Sequence, residues 1–390
     1  MTPHPGLLLE VGGLLAALLL AALFARWTDQ SPIPFFILLG IFLDPPEESA
    51  AVVGFLATLG VSLLLFLVGL EFSPGGLVRG ARRLLTGGAA DLLLNLPLGI
   101  LAGRLLGLSW LGAWFLGGAV YISSSGIISR GVIENRRSAN RETEPLLGLL
   151  VVEDLVVAVL LALLASVAAG EAALPAGAAG LGRLALLVGV LFLGARLLRR
   201  PFWRVLGSES SEVVVLFLFA LIVLAAAAAA SLRLSEAVGA FLAGVVVGET
   251  PHRGRVEATL LPFQQLFAAT FFIAFGTTIE LEDGGRSIAP AVALLVAFTA
   301  TKLATGMIVG RAWRLPPRSR WRLALSLTPR GEFSVLLATI AVAALDREGS
   351  RLGALVGTYV LLSALSGSLL LHHADALAGR LAARAAPRSA

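Results

Sequence analysis

The sequence predicts an all-α protein that crosses a membrane about thirteen times. Three observations predict it. Apolar residues make up 57% of the 390 and charged residues only 14%, against about 25% charged in soluble domains. Apolar runs of about 20 residues, the length that crosses a hydrocarbon core of about 30 Å, recur from one end to the other. The arginines between the runs gather in alternate intervals.

Taken in order, the thirteen runs cover 7–25, 32–43, 51–71, 84–103, 109–133, 145–169, 181–198, 211–231, 233–248, 258–280, 287–310, 321–345 and 352–372. The first, from Leu7 to Phe24, is short enough for a signal peptide. It lacks a basic segment before it and a small-residue cleavage site after it, so it is read as a retained helix. The second opens with Ser31-Pro32-Ile33-Pro34, which bends or unwinds it. The longest polar interval, Arg130–Glu144, is too short to fold alone, so a single membrane domain over 1–390 with no soluble regulatory domain is expected.

The arginines test the count. With the N-terminus outside, alternate loops place 22 arginines inside and 6 outside; Arg330 lies within a run. A miscount would mix the two sets. The split therefore predicts an inner-membrane protein with the N-terminus outside and the C-terminus cytoplasmic. The pI of 10.7 would suggest nucleic acid for a soluble protein, but here the positive loops set orientation and no nucleic-acid partner is expected. The lipid bilayer is the partner. Cysteine is absent, which excludes disulfides and thiol chemistry. His4, His252, His372 and His373 sit in loops or tails without ligand spacing, so neither a metal nor a cofactor is expected.

Two stretches resemble each other. Phe66-Leu67-Val68-Gly69-Leu70-Glu71 and Phe272-Ile273-Ala274-Phe275-Gly276 each close a long apolar run. One run later, each is followed by an interruption, Ser123-Ser124-Ser125-Gly126 and Thr328-Pro329-Arg330-Gly331. The glycine spacings are 57 residues (69 to 126) and 55 (276 to 331). The crossing count puts Gly69 and Gly276 near opposite faces, so inverted repeats are expected over about 30–170 and 232–375. Inverted repeats with interrupted helices at matching places point to an ion site near the midplane of a secondary transporter.

Ionisable groups deep in the runs are few, and each costs roughly 2.5–3.5 kcal/mol on insertion scales. Glu153 and Asp154 are adjacent in the sixth run. Helical neighbours point about 100° apart, so the two carboxylates face different partners. A carboxylate takes either a hard cation or a proton, and competition between them at Asp154 is the chemical minimum for antiport. Lys302 is the only lysine beside 29 arginines, and a buried ammonium, unlike a guanidinium, can release its proton. It is expected to pair with Asp154 when no cation is bound. Ser124 and Ser125 offer hydroxyls to complete a cation's oxygen shell. Arg330 and Glu332, two residues apart, are read as structural groups that neutralise helix ends and each other. Asp91 and Asn95 share one face of the fourth run, as a polar contact or a vestibule, and receive no ion role.

With these residues in view, the sequence resembles the Kef/NapA branch of the monovalent cation:proton antiporters. The carriers are Glu153-Asp154, Lys302, Thr328-Pro329-Arg330-Gly331-Glu332 and Leu67-Val68-Gly69-Leu70-Glu71. The resemblance implies a homodimer with a dimer domain and a core domain, two crossed broken helices, and elevator-type movement of the core. It implies Asp154 as the essential ion-binding carboxylate and Lys302 as its charge partner. It departs from the family at Glu153, where Asn, Gln or Asp is usual. Kef-type systems often carry a nucleotide-binding regulatory domain, so such control here requires a separate cytoplasmic subunit. Exchange of Na⁺ or K⁺ for H⁺ is the expected activity, and the chain is not expected to be an enzyme. A sodium-coupled symporter of a small organic anion is the alternative; it needs a free cationic group, and only Arg330 and Lys302 are placed for one. An intramembrane hydrolase fits less well, since adjacent carboxylates on one helix do not flank a scissile bond. A channel has no need of the lysine.

Overall fold

Leucine, valine and alanine fill the apolar runs, and a helix is the conformation that satisfies its own backbone where lipid offers no hydrogen bonds. The computed structural model describes residues 5–28, 30–43, 47–71, 74–137, 139–168, 173–197, 199–232, 236–279 and 281–385. Among them every regular element is α-helical. In chain order these are α1 (Pro5–Trp27), α2 (Ile33–Ile41), α3 (Glu47–Glu71), α4 (Pro74–Leu105), α5 (Trp110–Tyr121), α6 (Ser125–Glu134), α7 (Thr143–Ala168), α8 (Ala173–Leu197), α9 (Arg199–Leu206), α10 (Ser211–Ser231), α11 (Glu236–Gly248), α12 (Arg253–Thr277), α13 (Leu281–Ala312), α14 (Pro317–Ser326), α15 (Glu332–Ala344), α16 (Asp346–His372) and α17 (Ala374–Ala385).

Each apolar run of the sequence appears as one helix or as two in succession, and the short arginine-rich helices α9 and α17 are additional. Eight spans among the described residues are long and apolar enough to cross a bilayer, as in a multi-pass membrane protein. The second run gives only the nine-residue α2, as its prolines suggested. The fifth and twelfth runs are each split, α5 from α6 and α14 from α15. The side chain of Glu71 and residues His4, Arg233 and Arg388 lie outside the described parts.

The chain divides into two compact units. One comprises Met1–Leu15, Asp44–Gly76 and Ala158–Ala274. Its core joins Leu63, Phe66 and Leu70 of α3 to Leu218 and Ile222 of α10 and Ala240, Ala243 and Val247 of α11. Helices α3 and α11 pack backbone to backbone. A Cβ on Gly69 would stand 2.0 Å from the Phe241 carbonyl oxygen, and one on Gly244 2.0 Å from that of Phe66. Small residues permit this approach, which replaces the hydrophobic drive that lipid removes.

The other unit comprises Ala16–Leu43, Leu77–Val157 and Phe275–Ala390. Its apolar cluster joins Ile128 and Val132 of α6 to Leu146, Leu149 and Leu150 of α7, Val309 of α13 and Leu323 of α14. Gly276 approaches α2 in the same manner, 2.3 Å from Cβ position to the Ile37 carbonyl oxygen. Near one end, Arg322 Nε lies 2.9 Å from Glu142 Oε1, Arg137 Nη2 lies 3.4 Å from the same oxygen, and Arg322 and Arg318 both reach Asp375 at the start of α17. Slight burial pushes the Asp375 carboxyl up, and the two guanidiniums outweigh it and hold the group below the usual carboxylate range.

Candidate ion site

The two interruptions meet each other. Helix α5 stops at Tyr121 because Ile122 turns to extended backbone (φ −77°, ψ 135°) and the serines that follow offer hydroxyls that compete for backbone groups. Helix α14 stops at Ser326 because Thr328 precedes Pro329, which disfavours the helical conformation before it. The Ser124 N–H donates to the Pro329 carbonyl over 2.9 Å, so each break supplies a partner that the other lacks.

Arg330 and Glu332 close the remaining gaps. The Arg330 guanidinium, fully buried, donates to the carbonyls of Val120, Leu327 and Thr328 at 3.0 Å. Positive charge therefore sits at the C-terminal ends of α5 and α14, where the helix dipole is negative. The Glu332 carboxylate accepts from the Gly126 N–H at 3.1 Å and the Ser124 hydroxyl at 2.7 Å, which puts negative charge at the N-terminus of α6. Both residues sit at helix ends, where they bond backbone and serine groups.

The three serines of the first break reach three different carboxylates. The Ser123 N–H and hydroxyl donate to Glu153 at 2.5 and 3.2 Å. Ser124 donates to Glu332. The Ser125 hydroxyl stands 3.1 and 3.0 Å from the two oxygens of Asp154. Glu153 is fully buried, whereas Asp154 is 5% exposed. Of the serines, 124 and 125 were expected at the site; Ser123 was not singled out, and its backbone amide rather than its hydroxyl makes the shorter contact.

Lys302 differs from expectation. Its ammonium bonds both oxygens of Asp91 and Oε1 of Glu153, all at 2.9 Å, and not Asp154. Side chains of α13 reach α4 at this level: Thr301 and Thr305 bond Asn95, one turn from Asp91. Asp91, expected only as a polar contact or part of a vestibule, is fully buried at 0% exposure. The signal was present: an acid and an amide one turn apart inside an apolar run have no reason to be there without a partner.

A cavity of about 180 Å³ is lined by Ser31, Ile33, Gly126, Asn135, Ser368 and His372 among others. Gly126, one of its lining residues, is the neighbour of Ser125. Among the described residues no cluster of three or more His, Asp or Glu is placed to hold a metal ion. Arg330 and Lys302, the cations that an organic-anion site would need, are both engaged by buried oxygens.

A family model described as sodium/hydrogen exchanger, transmembrane, matches residues 14–373. The K(+)/H(+) antiporter subunit KhtU of Bacillus subtilis (strain 168) is 32% identical over 380 residues, 93% of this chain and 92% of that protein. The ammonium/H(+) antiporter subunit AmhT of Alkalihalophilus pseudofirmus is 32% identical over 97% of this chain and 96% of its own length. The glutathione-regulated potassium-efflux system protein KefC of Escherichia coli is 30% identical over 72% of this chain and 46% of its own. Among solved structures, the sodium proton antiporter MjNhaP1 from Methanocaldococcus jannaschii at pH 8 superposes with a TM-score of 0.71 at 16% identity, covering 96% of this chain and 99% of that one.

Proposed function

The chain belongs to the sodium/hydrogen exchanger transmembrane family, and from that premise we propose that it exchanges a monovalent cation, Na⁺ or K⁺, for H⁺ across the cell's inner membrane. The observation that carries the reading is Asp154. It is buried within the cluster, it holds the Ser125 hydroxyl with both oxygens, and Gly126, the residue after Ser125, lines a cavity. A cation displaces the proton there, and a proton displaces the cation. Ser125 and unwound carbonyls contribute oxygen ligands of the kind hard monovalent cations accept. Glu153 and Lys302 set the field around Asp154, and Arg330 with Glu332 holds the broken helices in place.

The order of elements supports inverted repeats over about 30–170 and 232–375. Helices α2, α3, α4, α5/α6 and α7 have counterparts in α11, α12, α13, α14/α15 and α16. Helices α4 and α13 each have 32 residues with an internal proline, Pro97 and Pro290. The glycine contacts correspond as well: α3 meets α11 at Gly69, and α12 meets α2 at Gly276. On this reading the chain crosses the membrane thirteen times with its N-terminus outside, and the two breaks cross at the midplane. The unit that carries Asp154 is the moving part of an elevator, and the other forms a homodimer. The relatives named as subunits support a separate cytoplasmic regulatory partner.

The test is collapse of a pH gradient in proteoliposomes on adding Na⁺, K⁺ or Li⁺. The expected result is a cation-dependent collapse that Asp154→Asn abolishes. Unaltered exchange by that variant would overturn the site assignment.

A further inference from the structure

Lys302 Nζ has three oxygen partners, two on Asp91 and one on Glu153. An ammonium has three N–H donors and no acceptor, so its donors and its partners are equal in number. A neutral amine would turn a lone pair toward a carboxylate oxygen. The face of Tyr121 lies 5.1 Å from the same nitrogen, a further preference for positive charge. The charged and titratable groups around it are Asp91 from α4, Glu153 and Asp154 from α7, and Tyr121 from α5.

Asp91 is itself held in place. The Asn95 amide donates to Asp91 Oδ1 at 2.9 Å and to the Thr305 hydroxyl at 3.2 Å, and the Thr301 hydroxyl donates to Asn95 Oδ1 at 2.6 Å. Thr301, Lys302 and Thr305 share one turn of α13, so α4 and α13 are joined by one buried polar network. Two of the three donors of Lys302 go to α4 and only one to the helix that bears the ion site.

We propose that Asp91 is the positioning residue that keeps Lys302 protonated and directed away from Asp154 throughout the exchange cycle. This rests on the exchange reading above and deepens it. The ammonium then never competes with the cation. The exchanged proton resides on a carboxylate of α7, and one cation for one proton moves no net charge while Lys302 stays unchanged. A lysine whose only acidic partners belonged to the ion site would instead be released by the cation and free to lose its proton.

The experiment compares wild type, Asp91→Asn and Asp91→Glu as full-length protein in proteoliposomes, by cation titration between about pH 6 and 9 with and without an imposed membrane potential. Wild-type exchange is expected to be indifferent to the potential. Asp91→Asn is expected to raise the half-saturating cation concentration about tenfold and to displace the pH optimum, and Asp91→Glu to restore both. A potential-dependent wild type, or an Asp91→Asn variant with unaltered saturation and pH profile, overturns the proposal even if that variant is less stable. A second readout does not depend on transport. Since Lys302 is the sole lysine, the pH dependence of its acetylation by acetic anhydride, read by mass spectrometry, reports its neutral fraction. Acetylation of Asp91→Asn at a pH at least one unit below that needed for wild type supports the proposal. Identical profiles overturn it. If no cation drives exchange in wild type, the exchange reading fails while acetylation still decides the role of Asp91.

Discussion

Gly331 and Ser124 face each other so closely that a Cβ on the glycine would stand 2.5 Å from the serine hydroxyl oxygen and 2.9 Å from its Cβ. The serine cannot give way freely, since its hydroxyl is bonded to Glu332 and its amide to Pro329. Gly331→Ala is therefore expected to push the two breaks apart, at a cost of about 1–3 kcal/mol. It should reduce exchange well below wild type in a proteoliposome assay while leaving membrane insertion intact. Wild-type rates for this variant would show that the breaks tolerate separation.

Arg330 satisfies carbonyls from both broken helices without exposure to water. Arg330→Gln is expected to lower stability by about 3 kcal/mol or more, because buried acceptors lose a charged donor. Arg330→Lys should recover little, since an ammonium does not reproduce the planar fork. Thermal unfolding followed by size-exclusion fluorescence checks both, and full rescue by lysine would leave only the charge as important.

Ser125→Ala removes one hydroxyl from Asp154 and leaves the backbone in place. The expected effect is a several-fold rise in the half-saturating cation concentration, corresponding to about 0.5–1.5 kcal/mol for one hydrogen-bonding group, with little change in melting temperature. Cation titration of exchange beside a melting curve separates the two.

Asp375 predicts an absence of pH dependence. Its carboxyl titrates below the usual range, so the stability from Arg318 and Arg322 is present above the ordinary carboxylate pKa and is lost only as pH falls through the lowered one. Because the aspartate is about half exposed, its contribution is small, about 0.2–1 kcal/mol as for exposed pairs generally. Asp375→Asn should change melting temperature by the same small amount at pH 6 and at pH 8. A loss that grows between those values would mean another group titrates with it.

Glu142 is the opposite case, fully buried between Arg137 and Arg322. Glu142→Ala leaves the buried Arg137 guanidinium without its carboxylate and Arg322 with Asp375 as its remaining acid, and is expected to cost about 3 kcal/mol, seen as lower expression or a lower melting temperature. A near-neutral result would mean that the guanidiniums find other acceptors.

The helices were legible because a run of apolar residues has one outcome in lipid. Both breaks were legible as well, the first from a run of serines and the second from proline and glycine. The partners were not. Nothing in the local pattern states that α13 lies beside α4, so the choice of Asp91 over Asp154 for Lys302 depends on packing between residues 211 positions apart. Ser123 was passed over because its useful group is a backbone amide, which every residue but proline carries.

The three consecutive serines that reach three carboxylates behave as a reading frame. One residue added or removed between Ile122 and Gly126 would take at least one hydroxyl away from its acid, so this stretch should reject insertions and deletions that ordinary loops accept. Alanine at Ser124 or Ser125 leaves the frame intact and switches off one hydroxyl contact, whereas alanine at Ser123 keeps the backbone bond to Glu153. The Ser124 and Ser125 variants would therefore separate what the serine contacts of Glu332 and Asp154 each contribute, with the acids themselves untouched.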